Sequence, residues 1–280
     1  MAYFQRADRA RRTTSGVMTS LTALCTFLAV GVLIVILSYI AWQGIGSVSF
    51  RFLLDSPRPV GEGGGIGNAI LGSLVLLSLS SAFGLPFGIA VGVYLAELGE
   101  GRFGSVVRFI VDTLTGIPSL VTGVFVYTIL VLPMKHFSAL AGGVALALIM
   151  VPIVARTTEE MLKLVPHTLR EGALALGAPQ WRVTLGVVIP AAASGIATGA
   201  MLAIARVSGE TAPLLFTAFG SRFFNYYLDQ PIASLTVQIY NYGISPYDEW
   251  HAQAWAATLV LMTLILSINI AVRLLTRKRF

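Results

Sequence analysis

Two charged residues interrupt an otherwise uncharged, mostly apolar run between residues 183 and 220 of this 280-residue chain. Arg206 and Glu210 lie four residues apart, which is one turn of a helix, and Thr211 follows them. A guanidinium group is planar, always charged and able to bind phosphate oxygens in a bidentate manner. We therefore expect these three residues to lie on the path of an oxyanion, with Glu210 orienting Arg206 and competing with the anion so that binding stays weak. The alternative is an ion pair that satisfies itself and only stabilises its helix.

Small residues recur along the same segment and predict which way the charged pair faces. They are four residues apart: Ala191, Gly195, Gly199 and Ala203. At about 100° per residue they form one stripe on a helix, and that stripe also includes Arg206 and Glu210. Small residues mark faces where membrane helices approach closely, so we expect both charged side chains to point into a helix bundle and not toward lipid.

A second segment with informative spacing runs from residue 170 to residue 190 and reads REGALALGAPQWRVTLGVVIP. Gly177 separates two stretches that we expect to form short amphipathic helices, because glycine permits a sharp turn where a helix ends. Arg170 and Glu171 are then left to make polar contacts. The alternative is an ordinary amphipathic loop that docks nothing.

The other candidate motifs argue against covalent chemistry in this chain. The stretch GEGGGIGNAILG lacks the Lys–Ser/Thr pair and the preceding strand that a phosphate-binding loop requires, so no ATPase is expected. Three scattered histidines, the single Cys25 and the lack of HExxH, GxSxG or CxxC spacing predict neither a catalytic nor a metal site. The chain is not expected to be an enzyme, and it needs no cofactor of its own.

The composition predicts the elements that must position these residues. The chain is 56% hydrophobic and 11% charged, with a mean hydropathy of +0.80, whereas soluble domains carry about 25% charged residues. We therefore predict an all-α integral membrane protein with six transmembrane helices. The predicted spans are 17–42, 67–95, 106–133, 138–156, 183–208 and 254–272. The third span contains Gly116 and Pro118, two helix-breaking residues that a membrane helix tolerates where neighbours satisfy its backbone.

The distribution of Lys and Arg predicts the orientation of the spans. Basic residues concentrate in the N-terminal tail, between spans four and five and after span six, which places these parts and both termini in the cytoplasm. The chain then divides into a cytoplasmic tail, 1–16, and one transmembrane domain, 17–280, with a cytoplasmic loop at about 157–182 and an outer loop at about 209–253. The net charge of +6 is explained in the same way, so no nucleic-acid partner is expected. Near the start of span three, Arg108 and Asp112 lie one turn apart and predict a local ion pair.

The spacing within residues 170–190 resembles a known signature. Permease subunits of ABC importers carry Glu-Ala-Ala, three residues, Gly, nine residues and Ile-x-Leu-Pro. The matching residues here are Glu171, Gly172, Ala173, Gly177, Val187, Val188, Ile189 and Pro190, with Gly172, Val187 and Ile189 departing from the pattern in residue type but not in small or apolar character. The stretches VYLAELGE, DTLTGIPSLVTGVFVY, ARVSGETAPLLFTA and SPYDEW further resemble phosphate-specific permeases of the PstA type over most of residues 65–275.

This resemblance implies a type I ABC importer permease fold in a prokaryotic inner membrane, with inorganic phosphate as the cargo. It also implies that the segment from Arg170 to Pro190 couples the chain to an ATPase. The implied partners are a homologous PstC-type permease, two PstB-type ATPase subunits that bind ATP and Mg²⁺, a PstS-type phosphate-binding protein and the lipid bilayer. The rival interpretations are an importer of sulfate or molybdate, a membrane scaffold, and an ion-driven secondary transporter, which would be expected to show inverted repeats and acidic residues in mid-membrane.

Overall fold

The computed structural model describes residues 2–277 of the chain, and the side chains of residue 11 and residues 14–274. The predicted tail begins at Met1 and the predicted domain ends at Phe280; Met1 and residues 278–280 lie outside the described residues. The helix that contains the first span already begins at Ala2, so residues 2–16 continue that helix.

Helices make up most of the described chain, as the sequence predicts. In chain order they are α1 (Ala2–Gly44), α2 (Phe50–Leu54), α3 (Gly67–Glu97), α4 (Arg102–Gly116), α5 (Ser119–Val126), α6 (Leu132–Met134), α7 (Ala139–Lys163), α8 (His167–Ala175), α9 (Gln180–Val183), α10 (Ile189–Ser208), α11 (Ala212–Thr217), α12 (Leu235–Gly243) and α13 (Asp248–Arg277). A 3-10 turn, Ile45–Ser47, follows α1. Two π-helical turns, Tyr127–Val131 and Thr184–Val188, join α5 to α6 and α9 to α10.

Five helical segments of the described chain are long and apolar enough to cross a membrane, and the number is six if a bent pair of helices counts as one span. The five are Thr14–Ser47, Gly67–Glu97, Ala139–Lys163, Gln180–Ser208 and Asp248–Leu274. The pair α4 and α5–α6 replaces the third predicted span, and the two parts meet at 104°. A single span over 106–133 is therefore wrong in shape, because Ile117 precedes a proline and is held in an extended conformation at φ −71° and ψ 129°.

Each π-helical turn ends two residues before a proline. A proline inside a helix lacks the N–H group for the usual hydrogen bond, and its ring collides with the carbonyl four residues earlier. The wider π turn moves that carbonyl. The residue after each turn donates its N–H to the carbonyl five residues back: Leu132 to Tyr127, and Ile189 to Thr184. The predicted signature residue Pro190 thus lies at the start of α10, within a continuous helical segment.

The centre of the fold is the packing of α3 against α7. Three glycines of α3, four residues apart, line this contact: Gly84, Gly88 and Gly92. A Cβ atom added at Gly88 would lie 2.7 Å from the Cβ of Val154, closer than such atoms pack. The absence of these side chains lets the two helices approach, as in other membrane helix pairs with small residues at this spacing. Around them lies a core of buried apolar residues that includes Leu76, Leu146 and Met150.

Candidate functional site

The Arg206–Glu210 pair is formed at the end of α10. The Arg206 Nη1 atom lies 2.5 Å from Glu210 Oε1. Only 7% of the Glu210 side chain is exposed, whereas 59% of the Arg206 side chain is exposed. The backbone of Glu210 is held as well, because its carbonyl accepts a hydrogen bond from Thr236 Oγ1 of α12 at 3.0 Å. A buried, fixed carboxylate therefore holds one side of a guanidinium group whose other side is open.

The expectation that both side chains point inward holds for Glu210 and is wrong for Arg206 within this chain. The small-residue stripe packs on α7, where a Cβ added at Gly199 would lie 2.4 Å from Thr157 Oγ1. Arg206 lies near the middle of that stripe, but the buried residues of α10, among them Ala192, Ala203 and Val207, are centred about 60° further round the helix, so Arg206 lies at the edge of the buried face. Most of its side chain is therefore exposed in this chain.

Arg206 lines a cavity of about 280 Å³ between α7 and the bend that joins α4 to α5. The other lining residues include Leu114, Thr115, Ile117, Ser119, Thr122 and Ile153. The walls are mainly apolar, with three hydroxyl groups and one guanidinium group, a pattern typical of a site for a small polar ligand. Gly116 and Pro118 create this bend, because α4 ends at Gly116 and α5 begins directly after Pro118.

Thr211, the third residue predicted on the substrate path, lies at the start of α11. Its carbonyl accepts hydrogen bonds from the N–H groups of Leu214 and Leu215 at 3.1 and 3.2 Å, which begins that helix. Thr211 is therefore the link between the charged pair at the end of α10 and the short helix that follows.

The segment from Arg170 to Pro190 forms two short helices, α8 and α9, that meet at Gly177. Gly177 has a φ of +80°, a conformation that glycine adopts without strain, and its N–H donates to the Leu174 carbonyl at 2.9 Å. Glu171 and Gly172 are exposed, and Ala173 is half-buried against the neighbouring apolar cluster.

Arg170 does not share the exposed position of Glu171. It donates to a carboxylate oxygen of Glu97 at the end of α3, and to the Leu162 carbonyl at 2.8 Å. The polar contacts predicted for Arg170 are thus made with residues of this chain, whereas Glu171 is left exposed. The side chain turns back onto the membrane helices, where its two Nη atoms find acceptors while its Nε atom is buried without a hydrogen-bond partner.

The surface formed by α8, α9 and the turn between them exposes large apolar side chains together with the charged Glu171 and Arg182. Leu176 is 89% exposed and Trp181 is 61% exposed, and Leu174 lies on the surface beside them. Exposed large apolar residues that cluster in this way mark a surface that another protein or a membrane covers.

A buried carboxylate that the sequence analysis missed connects α4 to α7. Only 1% of the Glu159 side chain is exposed, and it contacts Arg108 and Lys163 at 2.9 and 2.5 Å and Arg156 at 3.5 Å. The predicted local pair of Arg108 with Asp112 is wrong, because Arg108 bonds to Glu159 across the helix contact instead. The signal in the sequence was Glu159 four residues before Lys163 at the end of an apolar run, but the partner on α4 is not visible there.

Among the described residues, no group of three or more His, Cys, Asp or Glu side chains is placed so that it could hold a metal ion.

The sequence matches a known family over most of its length. Residues 88–280 match the family described as "binding-protein-dependent transport system inner membrane component". The "phosphate transport system permease protein PstA" of Yersinia pestis is 48% identical over 239 residues, which cover 85% of this chain and 81% of that relative. Proteins of the same name are 42% identical in Haemophilus influenzae, with 94% of each chain covered, and 37% identical in Mycobacterium leprae, with 96% and 91% covered.

A solved structure shares the fold. A chain of the MetNI methionine ABC transporter in an inward-facing conformation superposes with a TM-score of 0.64, covering 76% of this chain and 96% of that chain. The sequence identity is 22%, so this likeness describes the arrangement of the helices and not the ligand.

Proposed function

Because the chain belongs to the inner membrane components of binding-protein-dependent transport systems, among the PstA-type phosphate permeases, we propose that it is the permease subunit of an ATP-driven phosphate importer. The family and the apolar helices make it a multi-pass inner membrane protein. These findings confirm the resemblance and the all-α permease fold that the sequence predicts. The observation that carries the proposal is the 42% sequence identity to the PstA protein of Haemophilus influenzae, over 94% of both chains.

The proposal requires partners that supply energy and cargo. A separate ATPase, as a pair of subunits, binds ATP and Mg²⁺, and a phosphate-binding protein delivers the anion to the outer end. A second, PstC-type permease completes the translocation unit. This chain then contributes the passage and carries out no covalent chemistry. Both termini and the segment 157–182 lie in the cytoplasm, in agreement with the distribution of Lys and Arg.

Arg206 is the residue proposed to meet phosphate. Its guanidinium group has five N–H donors, and the bond to Glu210 leaves most of them available. In the cavity beside the α4–α5 bend, an oxyanion would approach the open side of Arg206 while the buried Glu210 keeps that group in place. The carboxylate and the anion compete for one cation, which keeps the anion weakly bound and able to leave. Thr211 fixes the start of α11 beside this pair.

The exposed apolar face of α8 and α9 is the surface proposed to dock the ATPase. Leu176 and Trp181 supply the apolar area, and Glu171 supplies a charge at the edge of that face. Gly177 sets the angle between the two helices. Movement of the ATPase would be passed to the transmembrane helices through this segment.

Uptake measurements on cells test the proposal. Deletion of the gene should abolish high-affinity uptake of radiolabelled phosphate, and expression of the chain should restore it. Sulfate and molybdate uptake serve as controls, because a guanidinium group alone does not distinguish these oxyanions from phosphate. Unchanged phosphate uptake together with lost sulfate or molybdate uptake would assign the chain to another cargo. Unchanged uptake of all three anions would contradict a transport role.

A further inference from the structure

Arg170, in the segment proposed to couple the chain to the ATPase, makes polar contacts with two long helices. Arg170 of α8 donates to Glu97, the last residue of α3, and its Nη2 atom donates to the Leu162 carbonyl of α7. The side chains of Arg170 and Glu97 are 18% and 8% exposed, so the pair is largely shielded from water. One guanidinium group therefore joins α8 to two helices that are long enough to cross the membrane.

The same carboxylate makes a further connection. The second oxygen of Glu97 accepts a hydrogen bond from Thr184 Oγ1 at 3.2 Å. Thr184 begins the π-helical turn that leads into α10, and α10 carries Arg206 at its far end. Glu97 thus lies where α3, α8 and the start of α10 meet.

We infer that Arg170 and Glu97 form a tether that passes the movement of α8 to α3, α7 and α10, and that Arg170 is not a contact to the ATPase. This inference rests on the proposed function. Arg170 is then a positioning residue, because it acts on the passage through the helices that it holds. A planar guanidinium bound to two acceptors is stiff, so a shift of α8 moves its partners and is not absorbed by side-chain rotation.

The two faces of the segment have separate roles in this scheme. Leu176 and Trp181 face outward and contact the ATPase, while Arg170 faces inward and contacts this chain. Changes on the outward face should release the ATPase from the purified complex. Changes of the tether should leave the ATPase bound and break the link between ATP hydrolysis and transport.

A double-mutant cycle on the complete transporter separates this tether from a structural ion pair. The variants are Arg170→Met, Glu97→Leu and the two together, with phosphate uptake, ATPase co-purification and ATP hydrolysis as readouts. Each single variant leaves one charge buried without its partner, so lower protein levels are expected. The double variant removes both charges, so normal levels and normal ATPase binding are expected. Its uptake should still fall by about tenfold, the size of a typical coupling between two sites.

The hydrolysis readout distinguishes coupling from folding. In the double variant, ATP hydrolysis should continue but lose its stimulation by the phosphate-loaded binding protein. Wild-type uptake with stimulated hydrolysis in the double variant would show that the pair only stabilises the fold. Loss of the ATPase from that purified variant would show that Arg170 is a docking contact. Either result overturns the inference.

Milder variants keep the test informative if the double variant does not accumulate. Arg170→Lys keeps the charge opposite Glu97 but replaces the planar guanidinium with a flexible ammonium group, so the complex should assemble and its uptake should be reduced. Wild-type uptake in Arg170→Lys would overturn the inference in that case. The matched control is Arg102→Gln, since Arg102 is an exposed arginine at the same end of the molecule, and its uptake should be unchanged.

Failure of the proposed function has a different signature. In that case the unmodified chain neither co-purifies with an ATPase nor supports phosphate uptake. Failure of the tether alone appears only in the variants, while the unmodified transporter works normally.

Discussion

At the scale of single residues, Arg206→Lys tests whether the site needs a planar guanidinium group or only a positive charge. We expect Arg206→Lys to lose most phosphate uptake, because an ammonium group cannot bind Glu210 and an oxyanion side by side as a guanidinium group does. Uptake of radiolabelled phosphate should fall by about tenfold to a hundredfold if one charge-assisted hydrogen bond, roughly 1.5–3 kcal/mol, is lost. The exposed Arg102 provides the control, since Arg102→Lys changes the same group at a position outside the cavity and outside the proposed docking face.

Membrane levels must be measured with this variant. Equal amounts of the Arg206→Lys and unmodified chains, and equal co-purification of the ATPase, are expected, because the head group of Arg206 lies on the surface of the chain. Normal phosphate uptake by a well-expressed Arg206→Ala variant would show that the Arg206–Glu210 pair is only a local contact within its helix.

A second prediction at this scale concerns Glu159. Replacing Glu159 with Leu removes the common partner of Arg108 and Lys163, and should lower the free energy of unfolding by about 2–3 kcal/mol. The neighbouring Glu160 is 54% exposed and contacts Arg156 at 3.1 Å, so Glu160→Leu should cost about 0–1 kcal/mol. Thermal unfolding of the two variants in detergent checks the difference. Equal losses of stability would show that the burial of Glu159 has no energetic consequence.

The residues that the sequence identifies best are those whose partners are close in the chain. The Arg206–Glu210 pair and the turn at Gly177 follow from spacing alone. Glu97 and Glu159 were missed because their arginines come from helices that are distant in sequence, 73 and 51 residues away. Charge and hydropathy patterns carry no information on which helices meet, so these pairs appear only once α3, α4 and α7 are placed in space.

At the scale of helices, the glycine spacing of α3 predicts how much stability is lost when a side chain is added at the α3–α7 contact. Gly88→Ala adds a Cβ atom 2.7 Å from Val154 Cβ, and the two helices must separate to accept it. Overpacking of this kind costs about 1–3 kcal/mol. Gly31 of α1 has open space around it, so Gly31→Ala is the matched control and should be neutral or slightly stabilising. Thermal unfolding and uptake of both variants provide the check, and equal behaviour would contradict the close α3–α7 contact.

Helix boundaries show why a sequence predicts positions better than shapes. Apolar length locates the membrane helices to within several residues, because the bilayer sets how long each must be. It does not give the 104° turn between α4 and α5, since Gly116 and Pro118 show only that a helix is weakened there. The bend matters for function because it forms one wall of the cavity that Arg206 lines.

At the scale of the whole molecule, the length of α7 sets the distance between the end proposed to receive phosphate and the end proposed to bind the ATPase. The start of α7 is fixed to the long segment after α11, since the N–H of Leu140 donates to the Leu228 carbonyl at 2.9 Å. Its other end is fixed to α8 through Leu162 and Arg170. A helix of 25 residues spans about 37 Å, so the surfaces next to Leu228 and to α8 lie on opposite sides of a bilayer.

Cysteine labelling tests the orientation that the distribution of Lys and Arg predicts. Cys25 is the only cysteine, so a Cys25→Ser chain is a clean background for single cysteines at Leu176 and Tyr226, which are 89% and 74% exposed. With cytoplasmic termini, a membrane-impermeant maleimide should label Tyr226→Cys in cells with an opened outer envelope. In a strain without the ATPase, which would cover this position, it should label Leu176→Cys only after the inner membrane is permeabilised. The reverse labelling order would show that the chain has the opposite orientation in the membrane. The apolar face of α8 and α9 would then lie on the outer side, where no cytoplasmic ATPase could bind it.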